Sequence, residues 1–316
     1  MSQEQPTEYS LPIIIGASKE IKRAQELARL AAQHDINVLL LGETGVGKEL
    51  FAKTIHLLSP RKAKPFVALN CSAMPETLLE SEIFGYERGA FTGANTTKLG
   101  RLEMANGGTL FLDEIGEMSI SAQCKLLRVL EDEKKFERLG GTRSITVDVR
   151  IIAATNADLE KKIAEKTFRR DLFYRLNEIS ITIPPLRERR KDIKQLFYHY
   201  LFRSCGRFGK NISAVSPNLL PALIDDYPWF GNVRELENAL TQALVAKNGD
   251  GTDLGVSDFS HLNLSSSIAD GEQDCRIESN PSLLEIGATA AARAEKEVVL
   301  KILDETRWNR KEAARR

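Results

Sequence analysis

Short apolar runs recur through the first part of the chain and predict the strands of a sheet. They occupy residues 38–41, 65–70, 110–114, 149–154 and 179–183. Between them, apolar residues recur at the spacing of helix faces, for example over residues 19–33. Strands that alternate with helices form parallel sheets whose ligands bind at the carboxyl ends of the strands. The pattern therefore predicts an α/β domain over residues 13–186, built on a doubly wound parallel sheet.

After residue 186 the apolar pattern is that of helices alone. One series with the spacing i, i+3, i+4 begins at Ile193, and another begins at Val233. We expect these helices to form a small helical lid domain over residues 187–247. Residues 227–232 form a turn with aromatic residues between the two series, and Asn232 can cap the helix that carries Arg234.

The two ends of the chain differ from the middle in composition. Residues 1–12 are polar and predict a disordered N-terminus without the features of an export signal. Residues 248–281 are rich in Asp, Ser, Gly and Asn and predict a linker. Helical spacing returns over residues 282–316, where arginines accumulate. No apolar run approaches the length of a bilayer span, so we expect no membrane contact.

A glycine-rich segment, GETGVGKE, follows the first predicted strand. It consists of Gly42, Glu43, Thr44, Gly45, Val46, Gly47, Lys48 and Glu49. Because glycine lacks Cβ, this backbone can wrap an anion closely and point N–H groups at it, while Lys48 adds a positive charge for outer phosphates. The phosphate-loop motif usually continues with Ser or Thr, whereas Glu49 stands there. The alternative is a glycine-rich turn with an incidental lysine.

Polar residues follow two other predicted strands. Asp113 and Glu114 end the run LFLDE, where carboxylates beside a phosphate loop are placed to hold Mg²⁺ and to polarise an attacking water, respectively. A DE pair alone is common where a strand meets its loop, so its occurrence together with Lys48 supports the prediction. Thr155 and Asn156 follow another strand, and Asn156 either contacts a phosphate or caps a helix over residues 157–164.

Charge and cysteine content narrow the classes of function. The 316 residues contain 44 basic and 44 acidic side chains, so no overall field attracts nucleic acid or membrane, and any such contact must be local. The 42% apolar content is sufficient for buried cores. The 4 cysteines form no C-x-x-C pair, which fits a reducing cytoplasm, and neither they nor the 4 isolated histidines predict a metal site.

A second segment framed by small residues, GAFTGA, lies between the predicted strands. It consists of Gly89, Ala90, Phe91, Thr92, Gly93 and Ala94. Small residues on both sides of Phe91 and Thr92 indicate a mobile loop with a large apolar tip, which suits contact with a partner protein. The alternative is a turn with Phe91 buried in the core.

The segments GETGVGKE, LFLDE and GYERGAFTGA together resemble the sigma-54-dependent transcriptional activators, or bacterial enhancer-binding proteins, of the AAA+ ATPases. The likeness extends from about residue 14 to residue 246 and is weaker from residue 283 onwards. It implies an AAA+ P-loop NTPase fold with a helical lid and an activity that hydrolyses ATP with Mg²⁺. It also implies that GAFTGA contacts sigma-54 in the closed RNA polymerase complex and remodels it.

The resemblance implies roles for residues at matching positions. Lys48 would bind the outer phosphates, and Asp113 with Glu114 match the Walker B pair, which holds Mg²⁺ and activates water. Asn70 matches an asparagine that restrains the Walker B glutamate, and residues 155–156 match sensor I. An acidic residue is common in this family at the position of Glu49.

Four arginines match positions that respond to nucleotide. Arg169 and Arg175 match arginine fingers, which complete the site of a neighbouring subunit and so imply a ring, a hexamer in AAA+ relatives. From the residues alone, a solvated surface is the favoured interpretation of both arginines. Arg234 matches sensor II, and Arg138 lies in a second pore loop that can couple nucleotide state to GAFTGA. Phe230 stands where the family usually has proline, so this turn departs from the family pattern.

The segment WNRKEAARR resembles the beginning of the helix-turn-helix with which these activators bind enhancer DNA. Residues 282–316 are therefore expected to be an incomplete DNA-binding domain. No sensory domain precedes residue 13, so a regulatory signal would come from a longer form of the protein or from a separate protein.

Two other classes of function stay open. One is a different AAA+ machine, such as a helicase or a protein unfoldase, and the GAFTGA segment argues against it. The other is a DNA-binding regulator without hydrolysis, and the joint presence of Lys48, Asp113 and Glu114 argues against that.

Overall fold

The computed structural model of the protein describes residues 14–131, 133–247 and 253–262, which fall into two compact units. The first unit contains the described residues up to Arg189 together with Phe230–Arg234. The second contains Arg190–Trp229 and the described residues from Glu235 onwards. The predicted N-terminal segment 1–12 and the predicted DNA-binding segment 282–316 lie outside the described residues.

The first unit alternates helices and strands. Its helices are α1 (Lys19–Ala32), α2 (Lys48–Leu57), α3 (Glu76–Phe84), α4 (Arg101–Met104), α5 (Ile120–Leu130), α6 (Leu159–Ala164) and α7 (Arg170–Leu176). Its strands are β1 (Val38–Leu41), β2 (Phe66–Asn70), β3 (Gly85–Tyr86), β4 (Lys98–Leu99), β5 (Thr109–Asp113), β6 (Lys135–Glu137), β7 (Ser144–Thr146), β8 (Arg150–Thr155) and β9 (Ile179–Thr182).

Five strands form one parallel sheet in the order β2-β5-β8-β1-β9, which confirms the predicted fold class. Leu41, at the end of β1, lies opposite Thr155 of β8 and Thr182 of β9. The loops that follow these three strands therefore leave the sheet at the same edge, which we call the carboxyl edge. A crevice for ligands forms at this edge of a doubly wound sheet.

The sheet is covered on both faces, which explains why its strands are apolar along their whole length. In β5, Leu110 and Leu112 pack with residues of α3, α4, α5 and α7, whereas Phe111 packs with residues of α1 and α2. Successive strand residues point to opposite faces, so a strand between two helix layers buries all of them. Full burial of one such Leu or Phe side chain stabilises the fold by about 1.5–3 kcal/mol.

The second unit is mainly helical. It contains α8 (Ile193–Phe208), α9 (Leu219–Pro221), and α10 (Asn232–Ala246) beyond Arg234, together with the short parallel strands β10 (Ala214–Val215) and β11 (Asp253–Leu254). Trp229 is fully buried, and its Nε1 donates to the carbonyl of Leu223 at 2.7 Å. No helix in the described part of the chain combines the length and apolarity needed to cross a membrane.

Residues 253–262 differ from the predicted linker. β11 pairs with β10, and a 3₁₀ segment, Val256–Leu262, follows it. Leu254 and Phe259 are fully buried, with the ring centroid of Phe259 6.4 Å from that of Phe197. The linker prediction is wrong here because these apolar residues anchor a stretch that is polar on average. The rest of the predicted linker lies outside the described residues.

Candidate functional site

The glycine-rich segment forms the loop between β1 and α2 at the carboxyl edge of the sheet. Gly45 and Gly47 have φ angles of +82° and +106°, a backbone conformation that residues with a Cβ atom rarely adopt. A Cβ on Gly45 would also lie 2.3 Å from the carbonyl oxygen of Gly231. Helix α2 begins at Lys48, so backbone N–H groups and the positive end of its dipole lie at the loop.

Lys48 is only 6% exposed and lies next to the Glu114 carboxylate. Its Nζ donates to the carbonyl of Gly42 at 2.8 Å and to Oε1 of Glu114 at 3.3 Å. A buried ammonium group needs a negative partner, and a phosphate can replace a carboxylate in that role. This contact brings the predicted phosphate ligand and the predicted water-activating group to one place.

Asn156 connects the glycine-rich segment to Glu114. Its backbone N–H donates to Oε2 of Glu114 at 3.1 Å, and its Nδ2 donates to Oγ1 of Thr44 at 3.0 Å. The alternative that Asn156 caps the next helix is wrong, because Asp158 caps α6 by accepting from the N–H of Lys161. An amide placed between the phosphate loop and the acidic pair can contact the phosphates of a bound nucleotide.

Asp113 lies against Asn70, whereas the resemblance implies that Asn70 restrains Glu114. Nδ2 of Asn70 donates to Oδ2 of Asp113 at 3.4 Å. The reason is the register of the sheet, since Asn70 ends β2 directly opposite Asp113, which ends β5. Glu114 comes one residue later in a left-handed conformation with a φ of +52°, and its carboxylate is bound by Lys48 and Asn156.

The acidic pair is suited to a cation. Burial raises the pKa of Asp113, and the negative charge of Glu114 raises it further. A divalent cation at Asp113 would remove this penalty, and carboxylate oxygens are ligands that Mg²⁺ prefers. Burial also raises the pKa of the neighbouring Cys71 thiol to about 12, so that side chain stays neutral.

Glu43, within the phosphate loop, binds two side chains through its carboxylate. Nη1 of Arg187 donates to Oε2 of Glu43 at 2.8 Å, and Nη2 donates to Oε1 at 2.5 Å. Nδ2 of Asn232 donates to Oε2 of Glu43 and to the carbonyl of Thr44, both at 3.1 Å, while its Oδ1 accepts from the N–H of Leu186 at 2.7 Å. The hydrogen bonds from Arg187 and Asn232 lower the pKa of Glu43 to about 2.

Three further predicted site residues, Val46, Glu49 and Thr155, make contacts within the protein near the phosphate loop. Val46 is buried in the apolar cluster that contains α1 and α2. Glu49 is exposed, and its carboxylate pairs with Lys53 one turn along α2 at 2.7 Å. Thr155 is buried, and its carbonyl accepts from the N–H of Gly42 at 3.2 Å. Glu49 thus occupies the Ser or Thr position of the motif with its carboxylate directed to Lys53.

The predicted sensor and finger arginines are all at the surface of the first unit. The N–H of Arg234 donates to the carbonyl of Gly45 at 3.3 Å, which places this residue at the phosphate loop. Nη2 of Arg169 pairs with Asp171 at 2.5 Å. Arg175 is exposed, and its guanidinium makes no hydrogen bond or ion pair to any residue the structure describes. In a single chain, both a solvated surface and a contact with a neighbouring subunit agree with this arrangement.

The GAFTGA loop is closed by local backbone contacts. The N–H of Gly89 donates to the carbonyl of Ala94 at 2.9 Å. Phe91 is 45% exposed, and its ring contacts Tyr86 edge to face with centroids 5.0 Å apart. Thr92 is also exposed. The alternative that buries Phe91 in the core is therefore wrong.

The base of this loop is joined to the hairpin of β6 and β7. The N–H of Leu139 donates to the carbonyl of Gly85, and the N–H of Glu87 donates to the carbonyl of Leu139, both at 3.0 Å. Arg138 bridges Glu87 at 2.8 Å and Glu103 at 2.6 Å, and these carboxylates raise its pKa. A displacement of the hairpin would therefore move the loop.

Sequence reasoning did not identify Arg187 or the side-chain contacts of Asn232. Arg187 and Glu43 are separated by 144 positions, so no spacing connects them. One feature of the sequence could have indicated Arg187: it follows the last predicted strand of the sheet, and residues that follow strands lie at the carboxyl edge. Asn232 begins α10 with a φ of +57°, which asparagine tolerates better than most residues, and its side chain reaches Glu43.

Three features define a P-loop NTPase of the AAA+ class: a glycine loop with a lysine, an acidic pair at the end of another strand of the same sheet, and a helical unit. The model of the sigma-54 interaction domain matches residues 14–182, and that of the AAA+ ATPase lid domain matches residues 187–273. The chain belongs to the family of sigma-54-dependent transcriptional activators.

Individual relatives agree with this assignment. The chain is 50% identical over 250 residues to a Nif-specific regulatory protein of Herbaspirillum seropedicae, which covers 79% of this chain and 46% of that protein. It is 49% identical over 246 residues to the formate hydrogenlyase transcriptional activator FhlA of Escherichia coli, covering 78% of this chain and 35% of the relative. The chain thus spans less than half the length of these relatives.

Among solved structures, NtrX from Brucella abortus in complex with ATP is similar to this chain. The TM-score is 0.74 at 32% sequence identity, and the match covers 96% of this chain and 66% of NtrX. NtrX in complex with ADP matches to the same extent.

Proposed function

We propose that this chain hydrolyses ATP and uses the energy to remodel the closed complex of sigma-54 RNA polymerase, so that promoters can open. The observation that carries the proposal is the meeting of Lys48, Glu114 and Asn156 at the carboxyl edge of the sheet. The same unit exposes Phe91 on a loop outside that site. The proposal thus combines a nucleotide site with a separate contact for a protein.

ATP would bind at the loop between β1 and α2. Backbone N–H groups of the loop and the Lys48 ammonium would hold the phosphates, and the backbone contact of Arg234 with Gly45 keeps that arginine close to them. The similarity to NtrX, which was solved with ATP and with ADP, supports nucleotide binding here. Mg²⁺, held by Asp113 and the nucleotide, would neutralise charge on the phosphates.

Hydrolysis requires a base next to the terminal phosphate. In this structure Lys48 and the N–H of Asn156 bind the Glu114 carboxylate. When phosphates take over Lys48, one oxygen of Glu114 becomes available to polarise a water, while Asn156 keeps the carboxylate in place. Nucleotide binding would therefore prepare the base.

A ring supplies the remaining positive charge. The guanidinium of Arg175 is exposed and makes no hydrogen bond or ion pair with the described residues, so a neighbouring subunit can use it at its own γ-phosphate. Head-to-tail contacts close into rings, and the family implies a hexamer. Arg169 would act in the same interface after giving up its contact with Asp171.

The GAFTGA loop would contact sigma-54 through Phe91 and Thr92. Its base is tied to the hairpin of Arg138, so a movement of that hairpin during hydrolysis would reach the loop. Binding of enhancer DNA is proposed for the residues beyond 282, which lie outside the described part.

An ATPase assay with and without sigma-54 separates the classes of function. The proposal predicts hydrolysis by the chain alone, capture of sigma-54 in a transition-state complex, and promoter opening by RNA polymerase. Hydrolysis without any effect of sigma-54 would indicate another AAA+ machine. Absence of hydrolysis under all conditions would indicate a regulator that uses the fold without the chemistry.

A further inference from the structure

Glu43 is an acidic residue within a loop that is built to hold phosphates. Its backbone carbonyl lies 3.5 Å from Nζ of Lys48, so the residue directly flanks the predicted phosphate ligand. A carboxylate without a partner at this position would repel the phosphates of a nucleotide, and solvent would screen part of this repulsion because Glu43 is partly exposed. The charge of Glu43 therefore has to be balanced.

Arg187 provides that balance with two parallel hydrogen bonds, at 2.8 and 2.5 Å. A bidentate guanidinium pair fixes the orientation of a carboxylate as well as its charge, whereas lysine would supply only a point charge. Both side chains remain partly accessible, 35% for Arg187 and 42% for Glu43, so the pair is not simply part of the core.

Asn232 extends the pair to the start of α10. It is fully buried and bonds to Glu43, to the carbonyl of Thr44 and to the N–H of Leu186. The next two residues of α10 donate their N–H groups to the carbonyl of Gly45. One carboxylate thus fixes the phosphate loop to two segments that are distant in sequence, and one of them carries Arg234.

We propose that Arg187 is a positioning residue for nucleotide binding, which neutralises Glu43 and, together with Asn232, holds the phosphate loop in its binding conformation. This inference rests on the proposed nucleotide-binding function. A positioning role through charge can be distinguished from a packing role. In the former, the loss of affinity in an Arg187 variant should depend on the charge of the nucleotide and on the presence of Glu43.

The test measures the affinity of the full chain for ATP and ADP by titration calorimetry in Arg187→Gln, Glu43→Gln and the double variant. Arg187→Gln should weaken ATP binding about tenfold, since it leaves one uncompensated charge beside the phosphates. ADP, with one negative charge fewer, should lose less. The double variant should recover most of the loss in ATP affinity, because neither charge remains. Added salt should reduce the defect of Arg187→Gln.

Arg61→Gln is a matched control at the other edge of the sheet. Arg61 also pairs with two carboxylates, with Asp35 at 2.6 Å and Asp148 at 3.1 Å, but these precede β1 and β8, at the ends of the strands opposite to the phosphate loop. This variant should lower the melting temperature without changing the ratio of ATP to ADP affinity. Arg187→Lys, which keeps the charge, should also keep that ratio while binding both nucleotides less tightly.

The outcomes distinguish this inference from the function on which it rests. If the wild type binds no nucleotide, the proposed function fails. If the wild type binds, but Arg187→Gln weakens ATP and ADP equally and Glu43→Gln gives no recovery, the positioning role by charge is wrong. Should Arg187→Gln not fold, a shift of the Arg187→Lys protein towards ADP would contradict the inference, and an unchanged ratio would support it.

Discussion

The carboxyl edge of the sheet and the GAFTGA loop are organised in opposite ways. At the sheet edge, Lys48 and Asn156 both bind Glu114, although the three residues follow three different strands. In the GAFTGA loop, the backbone hydrogen bonds are local. The ring of Phe91 is 45% exposed, and Tyr86 is the only aromatic residue in the described part of the chain that it contacts. One region is fixed by the fold before any ligand binds, and the other is left open.

This difference follows from what each region has to do. Phosphoryl transfer depends on groups held in place against developing charge, so preorganisation by the sheet is useful. A contact with a large protein depends on apolar surface that a partner can cover, so exposure is useful. We therefore expect that substitutions at the sheet edge change the rate of hydrolysis, whereas substitutions in the loop change only the coupling of hydrolysis to the partner protein.

The largest effect on hydrolysis is expected from Arg175→Ala. A finger residue supplied by a neighbour is worth about 10³-fold or more in the turnover number. Specific activity of the wild type should rise steeply with protein concentration, because the site is complete only in the assembly. Steady-state ATPase assays over a dilution series measure both effects.

A mixing experiment controls for damage to the fold in that variant. Arg175→Ala subunits keep their phosphate loop, and Lys48→Ala subunits keep their finger, so mixed interfaces should restore part of the activity. Specific activity that stays constant across the range of assembly, together with no rescue on mixing, would contradict a shared site.

Glu114→Gln should strongly reduce turnover while ATP binding persists. The amide preserves size and hydrogen bonding but cannot polarise water, a loss of about 10²- to 10⁴-fold. It also removes the carboxylate that binds Lys48 in the absence of nucleotide, so affinity for ATP should not fall. Equilibrium binding and single-turnover hydrolysis are to be measured separately. Turnover at the wild-type rate would exclude Glu114 as the base.

Lys48→Ala should lose ATP binding for two reasons. It removes the ammonium that contacts the phosphates, and it leaves the largely buried Glu114 carboxylate without its cation. Truncation of one member of a buried charge pair costs about 2–5 kcal/mol, equivalent to at least a tenfold loss of affinity. If the second reason holds, the Lys48→Ala and Glu114→Gln double variant should bind ATP better than Lys48→Ala alone. Equal affinities of the two proteins would show that repulsion from Glu114 contributes nothing.

A smaller effect concerns stability in acid. The pKa of Glu43 is lowered from 4.5 to about 2, so its pairing stabilises the fold above about pH 4.5 and is lost as the pH falls towards 2. Solvent screens this partly exposed pair, and the expected change is therefore modest. Denaturant unfolding at pH 5 and pH 3 should show a larger loss of stability for the wild type than for Glu43→Gln. Parallel losses in both proteins would contradict a pKa depressed by Arg187.

The sequence was sufficient for the sheet and for the meeting of Lys48 with Glu114. Apolar strands between helices predict parallel pairing, and parallel strands present their carboxyl ends at one edge, so residues that follow them come together. The partner of Asn70 could not be predicted, because it depends on the register of β2 against β5, which no local pattern specifies.

Two other features depend on tertiary contacts that composition does not reveal. Glu43 and Arg187 are 144 positions apart in the sequence, so only the complete fold of the α/β unit brings them together. Leu254 and Phe259 are buried, but they are two apolar residues within a stretch that is polar on average. The average composition of that stretch therefore predicts a linker.

The smallest effect on hydrolysis, and the largest on function, is expected from Phe91→Ala. The loop contributes no charge to the phosphate site, so ATP turnover should stay close to the wild-type rate. Loss of the exposed ring should remove the apolar anchor that sigma-54 would cover. Phe202→Ala, which removes an exposed phenylalanine of the second unit, is the matched control and should behave as the wild type.

The most direct measurement traps the assembly with a nucleotide–metal-fluoride mimic of the transition state, tests capture of sigma-54 by gel shift, and follows open-complex formation in parallel. We expect that Phe91→Ala hydrolyses ATP but neither captures sigma-54 nor opens promoters, whereas Phe202→Ala does all three. If Phe91→Ala captures sigma-54 and supports open complexes, the GAFTGA loop is only a structural turn, and the proposed separation between the nucleotide site and the partner contact is wrong.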